Sequence, residues 1–161
     1  MATRIKVEVK GLVLDPATNV PMVVLRAEDV EGGFVLPIWV GVFEANAIAL
    51  QLEGIETPRP MTHDLLRDAI LKLGAQVSSV DITDVRDTTF FAAISLLTTA
   101  GETVTLDARP SDAIALALHA GAPLYVTPGV IEKAQAYDPS ESDPDKLRAW
   151  FEGLGADPLE M

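Results

Sequence analysis

Asp107-Ala108-Arg109-Pro110-Ser111-Asp112 places two carboxylates, a guanidinium and a hydroxyl directly before the most apolar helix that the sequence predicts. Ile114, Ala117 and Leu118 recur at i, i+3 and i+4, and Ala113, Ala115 and Leu116 make the other faces apolar too. A helix from Pro110 to about His119, closed by Gly121, is therefore expected to be buried nearly all round. Proline suits its first turn, where the missing N–H costs nothing, and Ser111 or Asp112 can accept from the free backbone donors. Helix starts attract anions, and carboxylates placed there could hold a cation. The plainer alternative is that Ser111 and Asp112 only cap the helix while Arg109 pairs with Asp107 or Asp112.

A second stretch of the same kind is Thr57-Pro58-Arg59-Pro60-Met61-Thr62-His63-Asp64, a proline-rich approach to a helix bearing Leu65, Leu66, Ile70 and Leu73 and ending at Gly74. Thr62 is the expected N-cap, with Asp64 in the first turn. His63 beside a carboxylate has the chemistry of a general base or acid, although a lone histidine at a helix start is more often an exposed surface residue. Glu44 opens a further helix, Glu44 to Leu52, either as a partner of the helix dipole or as a group facing a site. Arg-Pro followed by a hydroxyl and an Asp thus occurs twice, with spacings that differ by two residues. Only if these two helix starts converge in space do they form one site.

The elements that must position them follow from periodicity. Ile5, Val7 and Val9 alternate with charged residues, the signature of a half-buried strand that Leu12 to Leu14 prolongs. Val20 to Ala27 is expected to return antiparallel to it, and Phe34 to Val40 to form a third strand, at an edge or bulge because of Pro37. Gln76 to Ile82, Thr88 to Leu97 and Glu102 to Leu106 are further strands, with Asp84 to Asp87 a charged turn. Leu124 to Val126 is a short strand, and Thr127-Pro128-Gly129 starts a last helix of the domain. The composition turns to Asp, Ser, Glu and Pro from Tyr137 to Pro144, and Leu147, Trp150, Phe151 and Leu154 then fall at helical spacing. The expected organisation is α+β: one compact domain, residues 1–136, of mixed and mainly antiparallel sheet with packed helices. An acidic linker and a short amphipathic C-terminal helix follow over residues 137–161.

With 161 residues and a mean hydropathy of +0.25, the chain is long enough to bury a real core. It has no cysteine and two histidines, which removes disulfides, thiolate metal sites and thiol nucleophiles. No apolar run is long enough to span a membrane, and the N-terminus lacks the layout of a secretory signal, so a cytoplasmic protein is expected. The net charge of −12 repels nucleic acid and anionic membranes on average. Walker-type and Rossmann glycine patterns are absent, and no Gly-x-Ser-x-Gly elbow surrounds Ser111, which argues against nucleotide-driven, dinucleotide and serine-hydrolase chemistry.

Three segments taken together resemble the bifunctional nuclease domain family: Leu36-Pro37-Ile38-Trp39-Val40-Gly41 with Glu44-Ala45, then Arg59 to Asp64, then Asp107 to Ala117. The resemblance runs from about Val7 to Ala134, and the C-terminal helix is similar to a segment appended in bacterial members. It implies a compact, often oligomeric α+β domain, and DNase and RNase activity by way of plant members. Chemical reasoning on the matched motifs then gives a nuclease that hydrolyses DNA, RNA or both with Mg²⁺ or Mn²⁺. His63, Asp64 and Asp112 would be catalytic, Arg59, Arg109 and Ser111 would bind substrate, and Asp64, Asp107, Asp112 and Glu44 would hold the cation. The alternative is a non-catalytic homo-oligomer that binds a small anion or a protein partner with the same residues.

Overall fold

The computed structural model describes residues 4–15, 18–27, 34–87 and 89–134. Among these residues seven strands form one sheet: β1 (Ile5–Leu14), β2 (Pro21–Ala27), β3 (Phe34–Trp39), β4 (Gln76–Arg86), β5 (Thr89–Leu97), β6 (Thr103–Ala108) and β7 (Leu124–Val126). Their order is β3-β2-β1-β7-β4-β5-β6, and every pairing is antiparallel except β4 with β7. Pro37 lies in the edge strand β3, where its missing N–H breaks no ladder. β7 joins the two halves, pairing Ile5–Val7 on one side and Val80–Ile82 on the other.

Helices α1 (Val42–Leu52), α2 (Thr62–Lys72), α3 (Pro110–Ala120) and α4 (Pro128–Lys133) complete the fold. Cross-strand register puts Val7, Val80, Ile82, Ala92, Ile94, Leu124 and Val126 on one face of the sheet, and all belong to the main core. α3 is the middle of that core, packed against α1, α2, β4 and β5. Ala113 to Leu116 are fully buried, as the all-round apolar pattern predicts. Burying Ile114 and Leu116 alone contributes about 1.5–3 kcal/mol each. Gly121 ends the helix in the left-handed region, at φ 66°, which a side chain would resist. The other face of the sheet is polar at its centre, where Arg4 lies over the Tyr125 ring and donates to Asp81.

Two sequence-based expectations change. The charged run Asp84 to Arg86 continues β4 instead of turning, because Val85 packs into the core and Asp84 accepts from Arg86 and Lys133 on the solvent side. On α2 only His63 and Ile70 are buried, while Leu65, Leu66 and Leu73 face outward. The amphipathic helix expected at 145–154 lies outside the described residues.

Candidate functional site

The starts of α1, α2 and α3 converge, and each carries an acid in its first turn: Glu44, Asp64 and Asp112. Arg109, the N-cap of α3, ties two of them together. Its Nε donates to Asp112 Oδ2 at 2.9 Å and its Nη2 to Glu44 Oε1 at 2.6 Å. Both bonds, Asp112's first, raise the guanidinium pKa above its ordinary value and keep it fully charged. The Arg109 side chain is still 65% exposed, and among the described residues Nη1 has no partner, so two of its five donors face solvent.

Glu44 therefore faces the site instead of serving only the dipole of α1. Gly41, the N-cap of α1, makes this possible, because a Cβ there would collide with Glu44 Oε2.

Asp112 Oδ1 lies 3.0 Å from His63 Nε2, which brings the two Arg-Pro helix starts together. His63 is buried, not the surface residue that its position suggests, with 10% of its side chain exposed. A carboxylate accepts, so Asp112 fixes the proton on Nε2 and leaves the Nδ1 lone pair as the basic atom. Among the described residues no group hydrogen-bonds to Nδ1, and no buried side-chain nitrogen or oxygen is left without a partner, so Nδ1 is open to solvent. His63 lines a cleft of about 410 Å³ between α1 and α2, together with Gln51, Thr57, Asp64, Arg67 and His119.

His119 is the residue that sequence reasoning missed. It lies seven residues after Asp112, two turns along the same face of α3, and that spacing is its only sequence signal. Its ring centroid is 6.0 Å from that of His63. Both its nitrogens are engaged: Nδ1 donates to the Ala115 carbonyl at 2.7 Å, and Nε2 lies 3.2 Å from Asp64 Oδ1. The second oxygen of Asp64 accepts from the Met61 backbone N–H at 3.0 Å. Met61 is thus the N-cap of α2, and the expected cap Thr62 falls inside the helix.

The remaining residues of interest stand apart. Ser111 is buried at the start of α3. Arg59 is exposed on the approach to α2, its carbonyl accepting from Thr57 Oγ1. Asp107 is exposed on the edge strand β6, opposite Ala93 and on the face of the sheet away from α3. The four carboxylates expected to share a cation are not gathered: Glu44 and Asp112 share Arg109, Asp64 lies against His119, and among the described residues Asp107 stands alone. Among the described residues no three His, Asp or Glu side chains converge as cation ligands. Mg²⁺ or Mn²⁺ fits this donor set poorly, because it would have to displace Arg109.

The converging helix starts thus gather an arginine, two carboxylates and a histidine, groups whose chemistry is that of proton transfer and anion binding. The chain matches the bifunctional nuclease domain over residues 23–139 and belongs to that family. It is 40% identical over 144 residues to an uncharacterized protein of Mycobacterium tuberculosis, covering 89% of this chain and 84% of that protein. It is 31% identical over 108 residues to Bifunctional nuclease 1 of Arabidopsis thaliana, covering 66% of this chain and 33% of the plant protein. Bifunctional nuclease 2 of Oryza sativa subsp. japonica is 32% identical over 109 residues, with 66% and 33% covered. Among the described residues no helix is long and apolar enough to cross a membrane.

Proposed function

We propose that the chain is a nuclease that cleaves phosphodiester bonds in DNA, RNA or both. The observation that carries this reading is the continuous chain Glu44–Arg109–Asp112–His63 at three converging helix starts, in a member of the bifunctional nuclease domain family. Asp112 orients His63, and Nδ1 takes the proton from the attacking hydroxyl, which is water or, on RNA, the ribose 2′-OH. The attacking oxygen bonds to phosphorus, the bond to the leaving oxygen breaks, and that oxygen regains a proton from the imidazolium or from water. At the other end of the chain Arg109 Nη1 binds an adjoining phosphate of the strand, aided by the helix dipoles, and Arg59 meets a further one. Asp64 caps the start of α2 beside His119, and Ser111 supports the start of α3 from within. No step is assigned to a cation.

The reading takes the protein as a cytoplasmic homo-oligomer, in keeping with a chain free of cysteine. The exposed apolar residues of α2, its C-cap and the edge strand β6, Leu65, Leu66, Leu73, Val104 and Leu106, also favour the second reading, a non-catalytic oligomer that holds a small anion at Arg109.

The test is cleavage of single-stranded DNA, duplex DNA and RNA with Mg²⁺, Mn²⁺ or EDTA, beside Asp112→Asn and His63→Ala proteins purified identically. Cleavage by the wild type that both variants lose is the expected result. Equal cleavage by all three overturns the site, and none by any moves the conclusion to the anion-binding oligomer.

A further inference from the structure

Phe43 is the second residue of α1, and 88% of it is exposed. Nothing in the helix requires an aromatic there, and among the described residues its ring contacts no other ring and no cation. Its chain neighbour is Glu44, whose carboxylate accepts from Arg109 at 2.6 Å, so Phe43 sits in the same helix turn that holds the exposed guanidinium. The chain as a whole carries a charge of −12. Phosphate electrostatics, which supply most of the affinity of ordinary nucleic-acid-binding proteins, therefore work against this one beyond the reach of Arg109 and Arg59. Affinity must come from contacts that carry no charge. A solvent-facing phenyl ring in the helix turn that holds Arg109 is such a contact, because every base has a π-face and stacking does not depend on sequence. Duplex DNA keeps those faces inside its own stack.

We infer that Phe43 is a stacking platform for an unpaired nucleobase, so that the site selects single-stranded nucleic acid. This rests on the nuclease reading and adds the form of its substrate.

The test measures binding of fluorescein-labelled oligo-dT and oligo-rU by anisotropy in EDTA. It uses the full chain as wild type, Phe43→Ala, Phe43→Tyr and Trp39→Ala, with sedimentation velocity on each. Trp39 is the control: its register partner Met22 belongs to the second apolar cluster, on the sheet face opposite Ile38 and the main core, and its Nε1 donates to Asp15. Phe43→Ala is expected to weaken binding about ten-fold or more, Phe43→Tyr to restore it, and Trp39→Ala to leave it unchanged. Raising the salt should weaken wild-type binding only slightly. Wild-type affinity in Phe43→Ala overturns the inference, as does a loss that coincides with dissociation of an oligomer, since the ring would then belong to a contact between copies. Cleavage separates the two readings. Binding through Phe43 without cleavage refutes the nuclease and leaves the platform, whereas equal kcat/KM in wild type and Phe43→Ala refutes the platform and leaves the nuclease. A wild type that binds neither oligonucleotide overturns both.

Discussion

The starts of α2 and α3 resemble one another, yet their acids do different things. Each helix has an Asp at its third position, Asp64 or Asp112, and each of these reaches a histidine on the other helix. Asp64 uses its second oxygen on its own N-cap, the Met61 N–H, and the histidine it meets has no ring nitrogen to spare. Asp112 gives its second oxygen to the Arg109 side chain, and the histidine it meets keeps Nδ1 open. One pair is a clasp; the other is connected to solvent at both ends. Two His–Asp pairs of like geometry thus differ in what lies beyond them, here a ring nitrogen without a partner among the described residues and an exposed guanidinium.

Exchanging the two acids in turn is the sharpest way to break this comparison. Asp112→Asn is expected to lower kcat/KM for nucleic-acid cleavage by about 10²–10⁴, the usual range for a general base and its positioning. Asp64→Asn should keep kcat while losing about 1 kcal/mol of stability in urea unfolding, since it loosens a cap and a buried pair. The opposite pattern would make Asp64 the chemical residue. Replacing His119 by Ala removes the donor to the Ala115 carbonyl and the ring packed against Asp64, and a loss of about 1–3 kcal/mol with turnover retained is the expected outcome. A smaller change is expected for Gly41→Ala, which must push Glu44 away from Arg109; the exposed ion pair accounts for about 0.2–1 kcal/mol, read as a small drop in Tm.

The smallest effect lies far from both clasps, at Asp84. Hydrogen bonds from Lys133, then Arg86, hold its carboxyl down at about 2 against an ordinary 3.8. Because the folded value is the lower one, this contribution is complete above about pH 4 and disappears as the pH falls toward 2. A Lys133→Ala protein should differ slightly from wild type in Tm at pH 6, and the two should converge near pH 2. A difference that persists at pH 2 would assign the effect to packing of α4 instead.

Much of the fold is legible in the sequence, because period-2 alternation in Ile5 to Val9 and the uninterrupted apolar run of α3 leave few choices. Register is harder: Val85 sits among charged residues, and only its packing reveals that β4 runs on to Arg86. At the site, spacing identifies Arg109, Asp112 and His63 as residues of interest. It cannot show that residues 49 apart meet at 3.0 Å, nor that Glu44 turns toward Arg109. Long-range pairing of this kind is set by how α2 crosses α3, which depends on a core assembled from every other element. His119 stayed hidden because it looks like the end of a helix, and Thr62 misled because Asp64 reaches one residue further back.

β7 has a consequence for the life of the chain before it is complete. The β1–β3 and β4–β6 units each contain their own hairpin pairings, so each can begin to fold as it leaves the ribosome. The strand that fastens them together, three residues long, is made only after α3. Until Leu124–Val126 is synthesised, β1 and β4 each expose an edge able to pair with a neighbouring nascent chain. The interval between finishing β4 and finishing β7 is therefore the period in which this protein is most open to misassembly with its own copies, and slow translation across it would lengthen that exposure.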